Sequence, residues 1–278
     1  MAQYRGATET SIPKMGQITK TILEVNQEKL PEGLLSDYAQ KFYGYGRWGA
    51  PIWFVGIEEG GGKDMQTIRD RLQTWAASGQ SIELADAPAF HLASKNAAWH
   101  QPDAKLQSTW KQLIRMLILA RGEADTDDAL LHYQRTQLGA TTGETCLAEL
   151  LPLPSPDRNT WHYPAWSELP WLQTRAAYEQ KILSQRISML RERIEHYRPR
   201  VVIFYGDGQL KHWQRIIGAG TYQRPIADKL IAHERNGIAF FVTRHPTHPD
   251  LRPTADNYFR EIGQFFRDHH GDRFMPTK

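Results

Sequence analysis

Four short apolar segments constrain the fold of this 278-residue chain more than any other feature of its sequence. They are Pro51–Ile57, Thr145–Leu151, Val201–Tyr205 and Ala239–Thr243. The third reads VVIFY and is apolar on both faces, which is typical of a strand buried inside a parallel sheet. Helical patterns lie between the segments. Strands that alternate with helices predict an α/β fold of three layers, with a mostly parallel, four-stranded central sheet flanked by helices.

The connecting segments differ in how clearly they predict structure. Apolar periodicity predicts helices over Ser108–Arg121, Tyr178–Arg198 and Asp256–His269, and a shorter helix over Arg69–Ala77. Ala85–Lys105 has no clear period and is predicted to be an inserted loop, and residues 122–144 and 157–174 are predicted to be rich in loops. No repeat or long linker divides the chain. We therefore predict one domain over residues 1–278, with residues 1–48 as an N-terminal extension packed on it.

Composition excludes several classes of protein. Hydrophobic residues make up 40% of the chain and charged residues 23%, as in ordinary soluble proteins. No apolar run could cross a bilayer and no secretory segment follows Met1, so we expect a cytoplasmic protein without a membrane partner. Cys146 is the single cysteine, which excludes an internal disulfide and a cysteine-rich metal site. The net charge of +3 neither requires nor excludes nucleic acid.

Each predicted strand leads into a segment of unusual chemistry. The four segments are Gly56–Gly62 (GIEEGGG), Pro152–Asn159 (PLPSPDRN), Gly206–Gly208 (GDG) and Arg244–Pro249 (RHPTHP). Taken singly, each has an ordinary explanation as a tight turn or a rigid connection. In a parallel sheet, however, all four would emerge at the carboxyl edge, where open α/β folds bind their ligands. We therefore expect them to form one site.

Taken in order, these segments resemble the motifs of the uracil-DNA glycosylase superfamily. Gly56-Ile57-Glu58-Glu59-Gly60 is similar to the first motif, residues 149–156 (ELLPLPSP) to the second, and His245-Pro246-Thr247-His248-Pro249 to the final His-Pro-Ser-Pro. The resemblance covers about residues 50–270. It implies a monomeric enzyme that needs no cofactor or metal, binds DNA, flips a base out of the stack and hydrolyses its N-glycosidic bond.

The reaction assigns roles to three residues. Breaking an N-glycosidic bond leaves positive charge on the sugar and negative charge on the departing base. A carboxylate near C1′ stabilises the sugar, and we predict Glu58 for this role, with Glu59 in reserve. His245, helped by backbone N–H groups of Gly60–Gly62, is predicted to stabilise the departing base.

Three further residues are predicted to bind the base. Trp99 is a candidate stacking platform. Glu149 stands where the family has a base-reading Asn; if ionised it only accepts hydrogen bonds and so favours the amino group of cytosine. Gly60 stands where the strictest uracil enzymes have a blocking tyrosine, and it leaves space beside C5. These departures indicate a C5-substituted cytosine, as in some phage genomes, and a role in antiviral defence; uracil and DNA repair are the alternative. Glu149 could instead pair with Arg158 or Arg244 and not meet the base.

The remaining site residues are predicted to bind the DNA around the flipped base. Leu251 is the candidate wedge that fills the vacated stack. Contacts to the DNA backbone are predicted for Ser155, Arg158, Thr247, His248 and Arg252.

Two other functions stay open at this stage. One is a module of the same fold that binds DNA or a nucleotide without cutting it. Adjacent glutamates beside a phosphate-bearing ligand argue against it, because they are costly unless they do chemistry or hold a metal. The other is a metal-dependent hydrolase that uses Glu58, Glu59, Asp64, His245 and His248. Two histidines in a proline-rich loop are by themselves a poor zinc site, so we predict none.

Overall fold

One mixed sheet of eight strands runs through the computed structural model, which describes residues 29–79 and 82–276. The strand order is β3-β1-β4-β2-β5-β8-β7-β6. In chain order the strands are β1 Gly44–Tyr45, β2 Ile52–Gly60, β3 Leu84–Ala85, β4 Thr145–Ser155, β5 Val201–Tyr205, β6 Gln223–Ile226, β7 Leu230–Arg235 and β8 Ile238–Thr243. The predicted α/β class is confirmed, but the prediction of a four-stranded sheet is wrong.

The four predicted strands form the parallel centre of this sheet. In the order β4-β2-β5-β8, each is parallel to its neighbour. Their carboxyl ends therefore meet at one edge of the sheet. Of the outer pairings, β1 with β4, β7 with β8 and β6 with β7 are antiparallel, whereas β3 is parallel to β1. The added strands are either two residues long or rich in polar residues, so they carry no long apolar run.

Nine helices accompany the sheet within residues 29–79 and 82–276. They are α1 Glu32–Lys41, α2 Met65–Ala77, α3 Ala87–Ala93, α4 Ser108–Ala120, α5 Asp127–Thr136, α6 Tyr163–Trp166, α7 Arg175–Tyr197, α8 Leu210–Ile217 and α9 Ala255–Phe274. All four predicted helices are present, as parts of α2, α4, α7 and α9. The three regions predicted as loops contain helices as well. Asp86 and Thr126 cap α3 and α5 through their side chains, which stabilises these short helices where apolar periodicity is weak.

Helices pack on both faces of the sheet. Consecutive side chains of a strand point to opposite faces, and the register pairs Ile203 with Phe241, so Phe204 and Phe241 face opposite ways. The Phe204 ring lies 5.0 Å from Trp213 of α8, and the Phe241 ring lies 4.5 Å from Phe266 of α9. The sheet is therefore the middle of three layers.

The predicted N-terminal extension falls partly outside the described residues, which begin at position 29. Of the described part, Leu35 and Tyr38 of α1 are fully buried in the hydrophobic core. The Leu30 amide donates a hydrogen bond to the carbonyl of Trp166, with an N–O distance of 2.8 Å. Helix α1 thus packs on the body of the protein, and Gly44–Tyr45 of the same predicted extension form strand β1 within the sheet. Within the described ranges, no helix combines the length and apolarity needed to cross a membrane.

A buried arginine joins α7 to the sheet. Arg186 donates hydrogen bonds to the carbonyl oxygens of Phe42, Glu149 and Leu150 at 2.7, 2.7 and 3.0 Å. Its guanidinium carbon also lies 3.4 Å from the centre of the Tyr43 ring. One side chain therefore fixes the backbone of β4 at Glu149 against the segment that leads into β1.

Candidate active site

Strand β2 is longer than its apolar run, and its last residues include two adjacent glutamates. The first strand is predicted to end at Ile57 and the second at Leu151, but β2 continues to Gly60 and β4 to Ser155. The register between the two strands shifts from Glu58 opposite Leu151 to Gly60 opposite Ser155. Such a bulge bends a strand and redirects its side chains. It gives Glu58 and Glu59 separate surroundings.

Glu58 is held by two arginines. Its Oε2 accepts hydrogen bonds from Arg175 at 2.6 Å and from Arg158 at 3.2 Å. The Glu58 side chain is only 5% exposed. Burial raises the pKa of Glu58, and the two guanidinium groups oppose that rise. The carboxylate is therefore occupied by these contacts and has little open surface for a substrate.

Glu59 is more exposed than Glu58, and its pKa is lowered where that of Glu58 is raised. Arg71 donates from Nη1 to Oε1 at 3.2 Å and makes a second, shorter contact to Oε2. Tyr45 donates from its hydroxyl at 3.1 Å, and Nε2 of His91 lies 3.7 Å away. Burial alone would raise the pKa of Glu59, but Arg71 and His91 lower it to about 2. Glu59 is therefore ionised at neutral pH, and its side chain is 21% exposed.

Glu149 differs from Glu59 in that the hydrogen bond to its carboxyl group comes from a neutral side chain. The Tyr205 hydroxyl donates to Oε1 at 2.7 Å, while Oε2 is buried and has no hydrogen-bond partner among the described residues. Burial raises the pKa of Glu149 to about 8, and the negative charges of Glu59 and Glu58 add to the rise. At neutral pH this carboxyl group is therefore mainly protonated.

A glycine makes room for the Glu149 carboxyl group. A Cβ atom at Gly56 would lie 2.3 Å from Glu149 Oε2 and 2.4 Å from the Tyr205 hydroxyl. Any side chain at this position would displace the pair. The two arginines considered as partners of Glu149 are bound elsewhere: Arg158 pairs with Glu58 and Glu179, and Arg244 lies near Asp207 and Asp250.

His245 lies just beyond the end of β8, with its ring centre 5.5 Å from that of Tyr205. The Thr247 amide donates to His245 Nδ1 at 3.3 Å, and the Thr247 hydroxyl lies 3.0 Å from the same atom. An Nδ1 that accepts from an amide leaves the ring proton on Nε2. Burial lowers the pKa of His245 to about 4, and the nearby His248 adds to that effect. His245 is thus a neutral donor through Nε2.

A cluster of rings adjoins Glu59. His91 and His100 stack at 5.1 Å, Tyr45 lies 4.9 Å from His91, and Trp110 lies 5.6 Å from both histidines. The predicted platform, Trp99, lies in a 3₁₀ turn, where it is half-buried and its carbonyl accepts from Gln134 at 3.0 Å. Among the described residues, the rings that contact Glu59 are those of Tyr45 and His91.

The residues predicted to hold the DNA backbone fall into two groups. Ser155 and Thr247 bond within the protein: the Ser155 hydroxyl donates to the Thr160 carbonyl at 2.6 Å, and the Thr247 hydroxyl contacts His245. Arg158 and Arg252 retain exposed surface, although Arg158 also forms ion pairs. His248 is 40% exposed, and its side chain caps the turn Pro249–Leu251 by accepting from the Asp250 amide.

Leu251, the predicted wedge, is only 4% exposed. Entry into a DNA stack would require its 3₁₀ turn, Pro249–Leu251, to move outward. Beside this turn lies a cavity of about 600 Å³ lined by Pro246, Thr247, Arg252 and the first residues of α4, α5 and α9. Its charges are balanced, since Lys105, Lys111 and Arg252 line it together with Asp127, Asp128 and Asp256, and Lys111 pairs with Asp256 at 3.0 Å.

The residues considered for a metal-dependent hydrolase do not form one group. Within the described ranges, no three His, Cys, Asp or Glu side chains are arranged to hold a metal ion. Asp64 caps α2 by accepting from the Thr67 amide at 2.8 Å.

Comparison with known proteins gives no family assignment. No protein-family model matches the chain, and no curated protein gives a significant sequence match. The resemblance to uracil-DNA glycosylases therefore rests on the short motifs at the carboxyl edge.

Sequence reasoning missed the residues that set the charge of the site: Tyr205, Arg71, Tyr45 and His91. Tyr205 carried a signal, because it is the one polar residue of VVIFY and directly precedes the Gly206 segment. Arg71 carried none. It is one of several polar residues in its helix, and only the fold brings it to Glu59.

Proposed function

We propose that this protein is a DNA glycosylase, which flips a base out of DNA and hydrolyses the N-glycosidic bond to leave an abasic site. The supporting observation is a pair of carboxyl groups at one edge of the sheet with contrasting surroundings: Glu59 is partly exposed and pairs with Arg71, whereas one oxygen of Glu149 is buried without a partner among the described residues. Glu59 has a pKa of about 2 and Glu149 a pKa of about 8. Such pairs are typical of enzymes that cleave glycosidic bonds, where one group stabilises the sugar and the other handles a proton.

In this proposal Glu59, and not Glu58, stabilises the developing positive charge at C1′ and orients the attacking water. Glu59 remains ionised across the neutral range and is 21% exposed, whereas Glu58 is 5% exposed and bound by two arginines. A fixed negative charge near C1′ lowers the energy of the transition state more than that of the ground state. Glu58 then has a structural role in holding Arg158 and Arg175.

His245 would act on the other side of the bond. Its neutral ring presents Nε2–H, because Nδ1 is engaged with Thr247. A neutral donor aimed at a carbonyl oxygen of the base stabilises the charge that develops as the base departs. Beside Glu59, His91 and His100 are buried, and the half-buried Trp110 that packs against both is the ring of this cluster with surface left for the flipped base.

We propose a C5-substituted cytosine as the base and antiviral defence as the role. The support comes from Gly60, which is exposed and has no atom within 4 Å of the position that a Cβ would occupy. A substituent on C5 would meet no side chain there. Uracil, which is smaller, fits the same space but does not need it.

The test is the formation of abasic sites. Purified protein is incubated with oligonucleotides that contain uracil, cytosine, 5-hydroxymethylcytosine or glucosylated 5-hydroxymethylcytosine, and alkali cleaves the strand wherever a base is lost. We expect cleavage at a modified cytosine, unchanged by chelator or by added zinc. DNA binding without strand cleavage would instead support a binding module, and cleavage that depends on metal would support a hydrolase.

Gly60→Tyr tests the space beside C5. Because a Cβ meets nothing at this position, Gly60→Ala is the matched control and should keep wild-type activity. The tyrosine ring is expected to lower kcat/KM for the bulkiest excised base by about 10- to 100-fold, in line with discrimination by pocket shape. A smaller base should be less affected. An equal loss on every base would contradict the placement of Gly60 beside C5.

A further inference from the structure

The three glutamates of the site differ in how their charge is compensated. Glu58 contacts two guanidinium groups, and Glu59 contacts Arg71 and His91. The Glu149 carboxyl group instead accepts a hydrogen bond from the neutral hydroxyl of Tyr205. Its other oxygen is buried without a partner in the described part of the chain.

Geometry alone makes an ionised Glu149 costly. A buried carboxylate that accepts one hydrogen bond from a neutral donor, and has no partner for its second oxygen, loses more hydration than that one bond replaces. Two negative groups, Glu58 and Glu59, face it from β2. The cations Arg71 and Arg186 act in opposition to them, without a hydrogen bond to the carboxyl group among the contacts of the described residues. His245, across the Tyr205 ring, is neutral. A proton on the carboxyl group removes most of this cost.

We propose that Glu149 is the general acid that protonates the departing base, and that this suits the enzyme to bases of the cytosine type. The proposal rests on the glycosylase function proposed above. Cytosine leaves as an anion less readily than uracil, since it has one carbonyl group fewer over which to spread the charge. It does carry a basic ring nitrogen, N3, that can accept a proton from an acid.

The step balances as follows. The electron pair of the C1′–N1 bond moves to the base while the Glu149 proton moves to N3, so the base departs neutral. Water adds its oxygen to C1′ beside Glu59 and releases a proton to solvent, and the Glu149 carboxylate regains a proton from solvent. The net reaction is hydrolysis, and it needs no other reactant.

The pH dependence follows from the protonated state. An acid must hold its proton, so kcat/KM should fall as pH rises through about 8, the pKa of Glu149. Glu149→Gln keeps the shape and an acceptor for Tyr205 but carries no transferable proton. We expect this variant to lose about 100-fold in kcat on a modified cytosine. Its residual activity should also lack the decline above pH 8.

Tyr205→Phe distinguishes a general acid at Glu149 from a residue with only a structural role, because it should shift the pH dependence of activity. The Tyr205 hydroxyl donates to Glu149 Oε1 and favours the ionised form. Removing it should raise the pKa of Glu149 and move the alkaline decline to higher pH. A decline that stays at the same pH in Tyr205→Phe, or that persists in Glu149→Gln, overturns the inference and leaves the glycosylase assignment intact.

A direct measurement separates this inference from the proposed function. Infrared difference spectra of wild type and Glu149→Gln should show the carbonyl stretch of one buried carboxylic acid at pH 7, lost above pH 8. Absence of that band overturns the inference whatever the activity. If the band is present but no DNA yields abasic sites, the proposed glycosylase function has failed, and with it the role of Glu149 in the reaction.

Discussion

Replacing Glu59 with glutamine is expected to lower the rate of base release by about 10³-fold, while the same change at Glu58 should cost about 10-fold or less. Glu59 is the ionised, partly exposed carboxylate, and its charge is the one available to a sugar at the carboxyl edge. Glu58→Gln removes a charge that two arginines already occupy. Single-turnover measurement of abasic-site formation compares the two. The reverse order of effects would return the catalytic role to Glu58.

Stability must be controlled in that comparison, because Glu59→Gln leaves the buried Arg71 charge uncompensated. Breaking a buried ion pair by removing one partner commonly costs about 3–5 kcal/mol of folding free energy. The double variant Glu59→Gln with Arg71→Gln removes both charges and should recover part of that loss. Its activity should stay as low as that of Glu59→Gln. Recovery of activity together with stability would show that Glu59 acts through folding alone.

Arg186→Met is expected to lower the free energy of unfolding by about 3 kcal/mol or more. The substitution keeps much of the volume but leaves the carbonyls of Phe42, Glu149 and Leu150 without their donor. Each buried acceptor that loses its partner costs about 1–3 kcal/mol, and the contact with the Tyr43 ring is lost as well. Equilibrium unfolding in urea measures the change.

Arg191 of the same helix is the matched control. Its side chain is 47% exposed and pairs with Glu195 one turn along. Arg191→Met should change the free energy of unfolding by about 0.5 kcal/mol or less, since exposed ion pairs contribute little. Equal losses in the two variants would mean that helix propensity, and not the bonds to three carbonyls, sets the effect at Arg186.

The inner sheet could be predicted because apolar runs indicate strands buried on both faces. The outer strands could not be predicted that way, since His233, Glu234 and Arg235 of β7 interrupt any apolar pattern. One signal was nevertheless present. Asn236 and Gly237, both at positive φ, join β7 to β8 in a two-residue turn, and Asn-Gly is the strongest short hairpin signal.

The positions of the candidate site residues in the sheet were predictable, but their charges were not. Strand ends alone placed Glu58, Glu59, Glu149 and His245 at one edge of the sheet. Which glutamate is ionised depends on partners distant in sequence, since Arg175 lies 117 positions from Glu58 and Tyr205 lies 56 from Glu149. The prediction that Glu149, if ionised, accepts a hydrogen bond from the base was made without regard to Gly56, whose missing side chain admits the carboxyl group into a buried space.

The outermost strands also bear on how the protein behaves at high concentration. An uncovered strand exposes amide and carbonyl groups that a second chain could pair with, which is a common route to aggregation. Here the strand at one end, β6, contains Arg224 and Pro225, and proline has no N–H to offer. At the other end, β3 is only two residues long. Both margins of the sheet therefore resist extension by a neighbouring molecule.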